Sequence, residues 1–168
     1  FEEKTALITG GGGMGRAVAL RLLSEGGRVL VTDYSQDILA RLKQEFDELG
    51  YSDRTRFLLS DVRIYRDCCA AVQKGVEWFG KIDILVTTAG ILRHHPIDLL
   101  TEKDWKDVVD VNLTGTYNSV KSVAGHMKDR RYGRIVLISS IGGRTGRPGV
   151  GVNYAATKGG VVGMTQLL

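Results

Sequence analysis

Thr5-Ala6-Leu7-Ile8-Thr9 is a short apolar run that stops on glycines, the pattern of a buried strand. From Met14 to Leu23, the pairs Val18 with Leu22 and Ala19 with Leu23 recur at helical spacing, and Gly26-Gly27 closes the segment. Val29-Leu30-Val31-Thr32, stopped by Asp33, predicts a second strand, and Ile38, Leu42, Phe46 and Leu49 share one face of a helix that Gly50 ends. Phe57-Leu58-Leu59 predicts a third strand, residues 64 to 79 a third helix, and Ile82-Asp83-Ile84-Leu85-Val86 a fourth strand. Helical segments near 101 to 111 and 114 to 131 lead to a fifth strand, Arg134 to Ile138, and a last helix starts near Asn153. The order is βαβαβαβααβα. Strands that are continuous apolar runs, separated by amphipathic helices, predict an α/β protein with a doubly wound parallel sheet. With 168 residues and no linker, low-complexity segment or longer repeat, residues 1 to 168 are expected to form one domain.

At 43% hydrophobic and 25% charged residues the composition is that of an ordinary globular protein, and the net charge is only +4. The local basic excess, Lys128, Arg130, Arg131, Arg134, Arg144 and Arg147, is interleaved with glycine rather than aromatics. A solvated face explains it better than a nucleic-acid groove. Cys68 and Cys69 are adjacent and fit neither a metal-ligand spacing nor a disulfide pair, so reduced thiols and no metal site are expected. No apolar run approaches the ~18 residues of a membrane span and no signal-peptide pattern precedes the first strand, so the expectation is a cytoplasmic protein with no membrane contact. The chain begins at Phe1 rather than Met, and its last helix reaches Gln166-Leu167-Leu168 without a cap, which gives the expectation of a fragment.

Glycine changes the picture. There are 22, against roughly twelve at the usual share. Five fall in Gly10 to Gly15 and eight in Gly142 to Gly163, directly after the first and fifth strands. Ligands of such a sheet bind at the carboxyl ends of the strands. Gly10, Gly12 and Gly15 satisfy GxGxxG between a strand and a helix, with Gly13 and Met14 in the turn, where free N–H groups and the helix dipole hold a pyrophosphate. Asp33 ends the next strand 18 positions beyond Gly15, where it would accept from ribose hydroxyls and repel a 2′-phosphate, favouring NAD over NADP. A flexible loop and a turn aspartate are the plain alternatives, and methyltransferases that bind S-adenosylmethionine share this half of the pattern.

The second cluster surrounds Ser139-Ser140 and Tyr154-Ala155-Ala156-Thr157-Lys158. Residues four apart share a helix face, so the Lys158 ammonium can lie near the Tyr154 phenol and favour phenolate, as a general acid/base requires. Ser140, off the neighbouring strand, would hydrogen-bond the oxygen whose charge changes in hydride transfer. Tyr-x-x-x-Lys alone is usually a solvated pair, and its force comes from the upstream fingerprint.

With these motifs in view, the sequence resembles the short-chain dehydrogenase/reductase family over essentially its whole length. The resemblance rests on Thr9-Gly10 to Gly15, Asp61-Val62, Ala89-Gly90, Asn112 in Val111-Asn112-Leu113-Thr114-Gly115, Ser140, and Tyr154 with Lys158. It implies a Rossmann-like fold, a Tyr acid/base, a Lys that lowers its pKa and holds the nicotinamide ribose, a Ser that orients the carbonyl, and an Asn that maintains a water-linked proton path. Asp61 would face the adenine, with Val62 beside it, and Ala89-Gly90 would give the cofactor close backbone passage. Individually, Asp61 also reads as a helix cap, Asn112 as a satisfied polar residue and Ala89-Gly90 as a tight strand exit. Homodimers or homotetramers are implied through helices carrying Val120, Val123, Ala124, Ala155, Ala156, Gly159 and Gly160, residues that core packing within one chain would also explain.

The chain departs from the family pattern in four places. Its glycine turn is one residue shorter between the first two glycines, Thr87-Thr88 replaces an Asn-Asn pair and would loosen the central strands, and Ser140 precedes Tyr154 by 14 residues, one more than expected. The fourth departure is length, because the last strands of the family fold are missing. The fifth strand is then expected at a sheet edge, with marginal folding and weak dinucleotide binding. The reading is an NAD-dependent oxidoreductase acting on a secondary alcohol or ketone, of the 3-oxoacyl-reductase or alcohol and sugar dehydrogenase kind. A silent dinucleotide sensor and an inactive fragment of such an enzyme are the alternatives. His94, His95 and Pro96 follow the fourth strand and are expected to be bystanders at the pocket entrance.

Overall fold

β1 (Thr5–Thr9) lies at the centre of a five-stranded parallel sheet, flanked by β2 (Arg28–Asp33) and β3 (Thr55–Leu59) on one side and by β4 (Ile84–Thr87) and β5 (Arg134–Leu137) on the other. The computed structural model describes residues 1–145 and 149–168, so Gly146 of the second glycine cluster and Arg147 of the basic excess lie outside the described residues. The strand order β3-β2-β1-β4-β5 makes β3 and β5 the edges and places the topological switch between β1 and β4.

Strand alternation builds two cores. Ala6, Ile8, Val29, Val31, Ile84 and Val86 point to one face, where α1 (Gly13–Ser24) and α2 (Gln36–Glu48) cover them with Leu22, Leu23, Leu42 and Phe46. Leu7, Leu30 and Leu85 point to the other, beneath α3 (Tyr65–Phe79) and α5 (Gly115–Asp129), which bring Ala71, Val72, Val120, Val123 and Met127. Each fully buried Val, Leu, Ile, Phe or Met side chain among them contributes about 1.5–3 kcal/mol. Both faces of the centre are therefore dry, which is why the strands are nearly unbroken apolar runs. Val120 and Val123 belong to this core, and Gly159 and Gly160 pack against Gly143 and Leu113. Packing within one chain accounts for these four positions of the expected subunit interface, while Ala124 and Ala156 remain exposed. Next to α1 the face of β4 and β5 is open, and Ile84, Val86, Val136 and Ile138 line a groove of about 780 Å³.

The two segments predicted as separate helices form one continuous run. α4 (Glu102–Val109), capped by Thr101 Oγ1 accepting from Asp104 N at 3.0 Å, passes into a π turn, Asp110–Thr114, and then into α5. Gly115 serves packing rather than a break, since a Cβ there would lie 2.5 Å from Val62 Cγ2. A 3₁₀ turn (Ser52–Arg54) and a short α6 (Gly142–Thr145), neither foreseen, complete the fold with α7 (Val152–Thr165).

Arg130 is not a solvated cation as its composition context suggested. Its guanidinium donates to Asp83 Oδ1 at 2.8 Å and to Ile82 O at 2.9 Å, while Asp83 Oδ2 accepts from Thr5 N at 3.0 Å. Burial alone would raise the Asp83 carboxyl, but Arg130, the Thr5 N–H and Lys81 outweigh it and hold it below its ordinary value. Beside this pair, His126 Nε2 accepts the Ile82 N–H at 3.1 Å, which requires a neutral ring. Burial, with the Arg130 charge, lowers the His126 pKa from 6.5. The unfolded chain thus takes up a proton that the folded chain refuses. The stability held by His126 is present above about pH 6.5 and is lost as pH falls toward the folded-state value. The melting temperature is expected to drop between about pH 7.5 and pH 5.5, and His126→Gln, which keeps an acceptor without a charge, is expected to flatten that slope. An unchanged slope in the variant would contradict the assignment.

Candidate active site

The turn after β1 is built on glycines with different duties. Gly10 sits at φ +95°, and a Cβ there would lie 2.6 Å from Ala89 N, so it brings the turn against the end of β4. A Cβ on Gly15 would run into the Gly10 carbonyl oxygen and lie 2.8 Å from Thr88 Oγ1. Gly12 and Gly13, in contrast, face open space. Gly12 caps α1, and the first helical bond runs from Arg16 N to Gly12 O at 2.8 Å, which leaves the N–H groups of Gly13, Met14 and Gly15 without acceptors in the helix. An open, side-chain-free helix start of this kind fits a phosphate pair. The shorter turn therefore keeps the packing duty at Gly10 and Gly15 and the open ground at Gly12 and Gly13.

Asp33, at the end of β2 and nearly buried, spends one oxygen on the turn: Oδ2 accepts Gly11 N at 2.7 Å and Oδ1 accepts Ser35 N at 2.9 Å. Each carboxylate oxygen accepts two bonds, so both retain capacity toward a ligand. A cleft of about 370 Å³ opens here, walled by Asp33 and Tyr34, by Asp61 to Arg63, and by Thr88 to Ile91. Arg93, Asp107 and Val111 also line it; of the cleft's residues, Tyr34, Arg93 and Asp107 are not named by the sequence motifs. Asp61 does reach the cleft, but its carboxylate is held by Arg63, with Nε at 2.9 Å from both oxygens. That pairing holds the Asp61 carboxyl below its ordinary value.

Thr88 replaces an amide without loosening the sheet. Its hydroxyl lies 2.9 Å from Thr9 O and 2.8 Å from Gly10 O, tying β4 to the glycine turn. Among the described residues the Thr87 hydroxyl, like that of Thr9, is buried without a partner, so only this half of the substitution carries the expected cost.

The next strand exit is clamped from the π turn. Fully buried Asn112 accepts Ile91 N at 2.8 Å, donates to Ile91 O at 2.9 Å and reaches Thr157 Oγ1 at 3.4 Å. A π turn adds one residue to a helical turn, and such insertions collect at functional sites. Its cost here is repaid by the exact satisfaction of Asn112. Gly90 marks the meeting point, because a Cβ there would lie 3.4 Å from Asn112 Oδ1 and 3.8 Å from Lys158 Nζ.

Lys158 is buried on α7, donates to Ile138 O at 2.7 Å, and stands 5.7 Å from the Tyr154 ring centroid. Burial pushes its ammonium below the ordinary value. The Ser140 segment docks on this helix through glycine: a Cβ on Gly143 would lie 2.5 Å from the Lys158 carbonyl carbon. Ser139, unassigned by the motifs, donates to Lys158 O at 2.7 Å, and Ser140 Oγ accepts Gly142 N at 3.2 Å. Asn112 and Lys158 thus meet at the cleft's Gly90 wall, with the Tyr154 ring beside Lys158 and Ser140 on the segment packed against α7. His94 and His95 are exposed on the loop after β4. Cys68 and Cys69 are free, and burial pushes the Cys68 thiol up to about 11. Among the described residues no group of three His, Cys, Asp or Glu side chains is placed to hold a metal, and no helix is long and apolar enough to cross a membrane.

Known proteins place this arrangement. The family described as short chain dehydrogenase matches residues 4–168. A 3-oxoacyl-(acyl-carrier-protein) reductase of Thermotoga maritima is 39% identical over 168 residues, covering 99% of this chain and 67% of that protein. Among solved structures, an actinorhodin polyketide ketoreductase with NADPH has a TM-score of 0.91 at 38% identity, covering 98% of this chain and 63% of the other. An NAD⁺-bound xylitol dehydrogenase has a TM-score of 0.93 at 32% identity, covering 99% and 64%. The chain spans about two thirds of the length of these relatives. Sequence match and backbone agreement run together from the glycine turn to α7, and the chain belongs to the short chain dehydrogenase family.

Proposed function

We propose that this chain carries the cofactor site and the reacting side chains of an oxidoreductase that interconverts a secondary alcohol and a ketone with a nicotinamide dinucleotide. The observation that carries the reading is the contact at Gly90, where the wall of the glycine-turn cleft meets Asn112 and Lys158. A dinucleotide-binding protein without chemistry has no need of a buried lysine and a tyrosine at that junction, and a methyltransferase gives no reason for the pair.

Gly13 to Gly15 would hold the pyrophosphate and Asp33 the adenosine ribose. When bound, the nicotinamide supplies or accepts the hydride. In the reducing direction Tyr154 Oη gives its proton to the oxygen of the developing alkoxide, which the Ser140 hydroxyl holds. Lys158, anchored to Ile138 O, keeps a positive charge beside the Tyr154 ring and stabilises the negative charge left on Oη. Asn112 acts as a positioning residue, since both ends of its side-chain amide are committed to Ile91 and its backbone carbonyl accepts Thr116 Oγ1 at 2.8 Å. A proton path would then leave through Lys158. Ketones carried as 3-oxoacyl thioesters head the substrate classes to try, given the relatives' names.

Asp33 also argues for NAD over NADP, because its carboxylate would face a 2′-phosphate of like charge. Calorimetric titration is expected to give at least about tenfold tighter binding of NADH than of NADPH. Tighter binding of NADPH would reverse this preference. Oxidation of bound NADH on mixing with a panel of ketones separates the enzyme from a silent sensor, which would bind and leave the cofactor unoxidised throughout. A homodimer or homotetramer and a cytoplasmic location remain part of the reading, the former to be measured by sedimentation.

A further inference from the structure

The segment that leaves β5 holds Lys158 by both ends. Ile138 O accepts from the Lys158 ammonium at 2.7 Å, and the Ser139 hydroxyl donates to the Lys158 backbone carbonyl at 2.7 Å. These contacts come from consecutive residues, and Ser140 is the next. A closed loop therefore joins the segment to one residue of α7, running out along the Lys158 side chain and back through its main chain. Ser140 Oγ accepts Gly142 N at 3.2 Å, which leaves its own O–H free to donate to a substrate oxygen.

The loop has little play. A Cβ on Gly143 would lie 2.5 Å from the Lys158 carbonyl carbon and 2.6 Å from Gly159 N, so α6 and α7 already meet backbone to backbone. Lys158 lies inside α7, where its carbonyl serves the N–H four positions later, and a carbonyl oxygen accepts two bonds. The Ser139 hydroxyl is thus a bond the helix does not need for itself. Tyr154 answers to a different element. Fully buried Asn153 accepts Tyr154 N through Oδ1 at 2.8 Å and donates to Asp104 O on α4 at 3.2 Å. The tyrosine is therefore registered on α4, and the lysine on the segment that carries Ser140.

We infer that Ser139 is a positioning residue of the reaction, whose hydroxyl sets the place of Ser140, the holder of the substrate oxygen, against the Tyr154 and Lys158 pair. The inference rests on the oxidoreductase reading above and adds to it a residue whose hydroxyl is committed to the protein. Without that hydroxyl the segment is tied to Lys158 by hydrogen bonding only at the tip of a long side chain. Ser140 and Tyr154 are then no longer held to one oxygen atom, and a misplacement of about 1 Å at such a site costs up to about a hundredfold in rate.

Initial rates with NADH and the ketone that the wild-type chain reduces fastest, measured for wild type, Ser139→Ala and Ser139→Thr alongside NADH titrations and melting curves, test this. Ser139→Ala is expected to lose about tenfold to a hundredfold in kcat, while KM for the ketone and the affinity for NADH stay within about threefold. Ser139→Thr, which keeps the hydroxyl, is expected to recover most of that loss. A merely structural Ser139 would lower the melting temperature and leave kcat of the folded protein unchanged. That outcome, parallel losses in kcat and in both binding terms, or equal deficits in the two variants overturns the inference and leaves the oxidoreductase reading intact. A wild-type chain that binds NADH and reduces no ketone removes both.

Discussion

Tyr154→Phe is expected to lower turnover roughly a hundredfold to ten-thousandfold, the range contributed by a positioned general acid or base. Dinucleotide affinity should stay within about threefold, because the lost interaction forms at the reacting oxygen. The substitution removes one hydroxyl and nothing else. The backbone of Tyr154 is held by Asn153 Oδ1, 2.8 Å from its N, and by Thr157 Oγ1, 2.8 Å from its O, and neither contact involves the phenol. The ring keeps its volume and its place beside Lys158. A fall in kcat with an unchanged melting temperature is therefore the signature of lost proton transfer. Equal losses of kcat, affinity and thermal stability would instead mark Tyr154 as a packing residue, and full activity would remove it from the mechanism.

Among the described glycines, Gly15→Ala should be the most damaging single added methyl. The added carbon would strike the Gly10 carbonyl, and relief by moving Gly10 is blocked because that residue is itself pressed against Ala89 at φ +95°. Overpacking of this kind costs about 1–3 kcal/mol, and here it also closes the turn that would hold the pyrophosphate. A lower melting temperature together with at least about tenfold weaker NADH binding is expected. Gly125→Ala is the control. That position on α5 is exposed with no atom within 4 Å of the added carbon, so the same methyl should raise stability by up to ~1 kcal/mol through helix propensity. Equal behaviour of the two variants would contradict the duty assigned to Gly15.

Much of this architecture is legible in the chain because its signals are local. Thr5–Thr9 is bounded in the structure where its apolar run is bounded in the sequence, and α3 starts within a residue of its predicted start. The glycine turn and the Tyr154 and Lys158 pair are legible for the same reason, each being a short motif set against a strand or helix. What the sequence hides are partners far apart in the chain. Arg130 reads as a solvated cation until Asp83, 47 positions away, is seen beneath it. The sequence breaks the helix between 111 and 114, where the structure has the π turn Asp110–Thr114, whose Asn112 answers to Ile91, 21 positions away. Lys158 reads as a partner of Tyr154 and of the cofactor, and no motif announces that its ammonium will donate to Ile138 O, just past β5. Asp61 reads as a residue facing the adenine or as a helix cap, and no motif announces that Arg63 will fold back on it.

Deuterium transfer tests the central claim most directly. The chain is incubated with NADH deuterated at the reacting nicotinamide carbon and with a panel of ketones and 3-oxoacyl thioesters, and the products are analysed by mass spectrometry. The account predicts one deuterium on the carbinol carbon of a reduced product for each NADH oxidised, and none with Tyr154→Phe over the same time. NADH that binds and remains unoxidised across the panel, or deuterium transferred equally well by Tyr154→Phe, would contradict it.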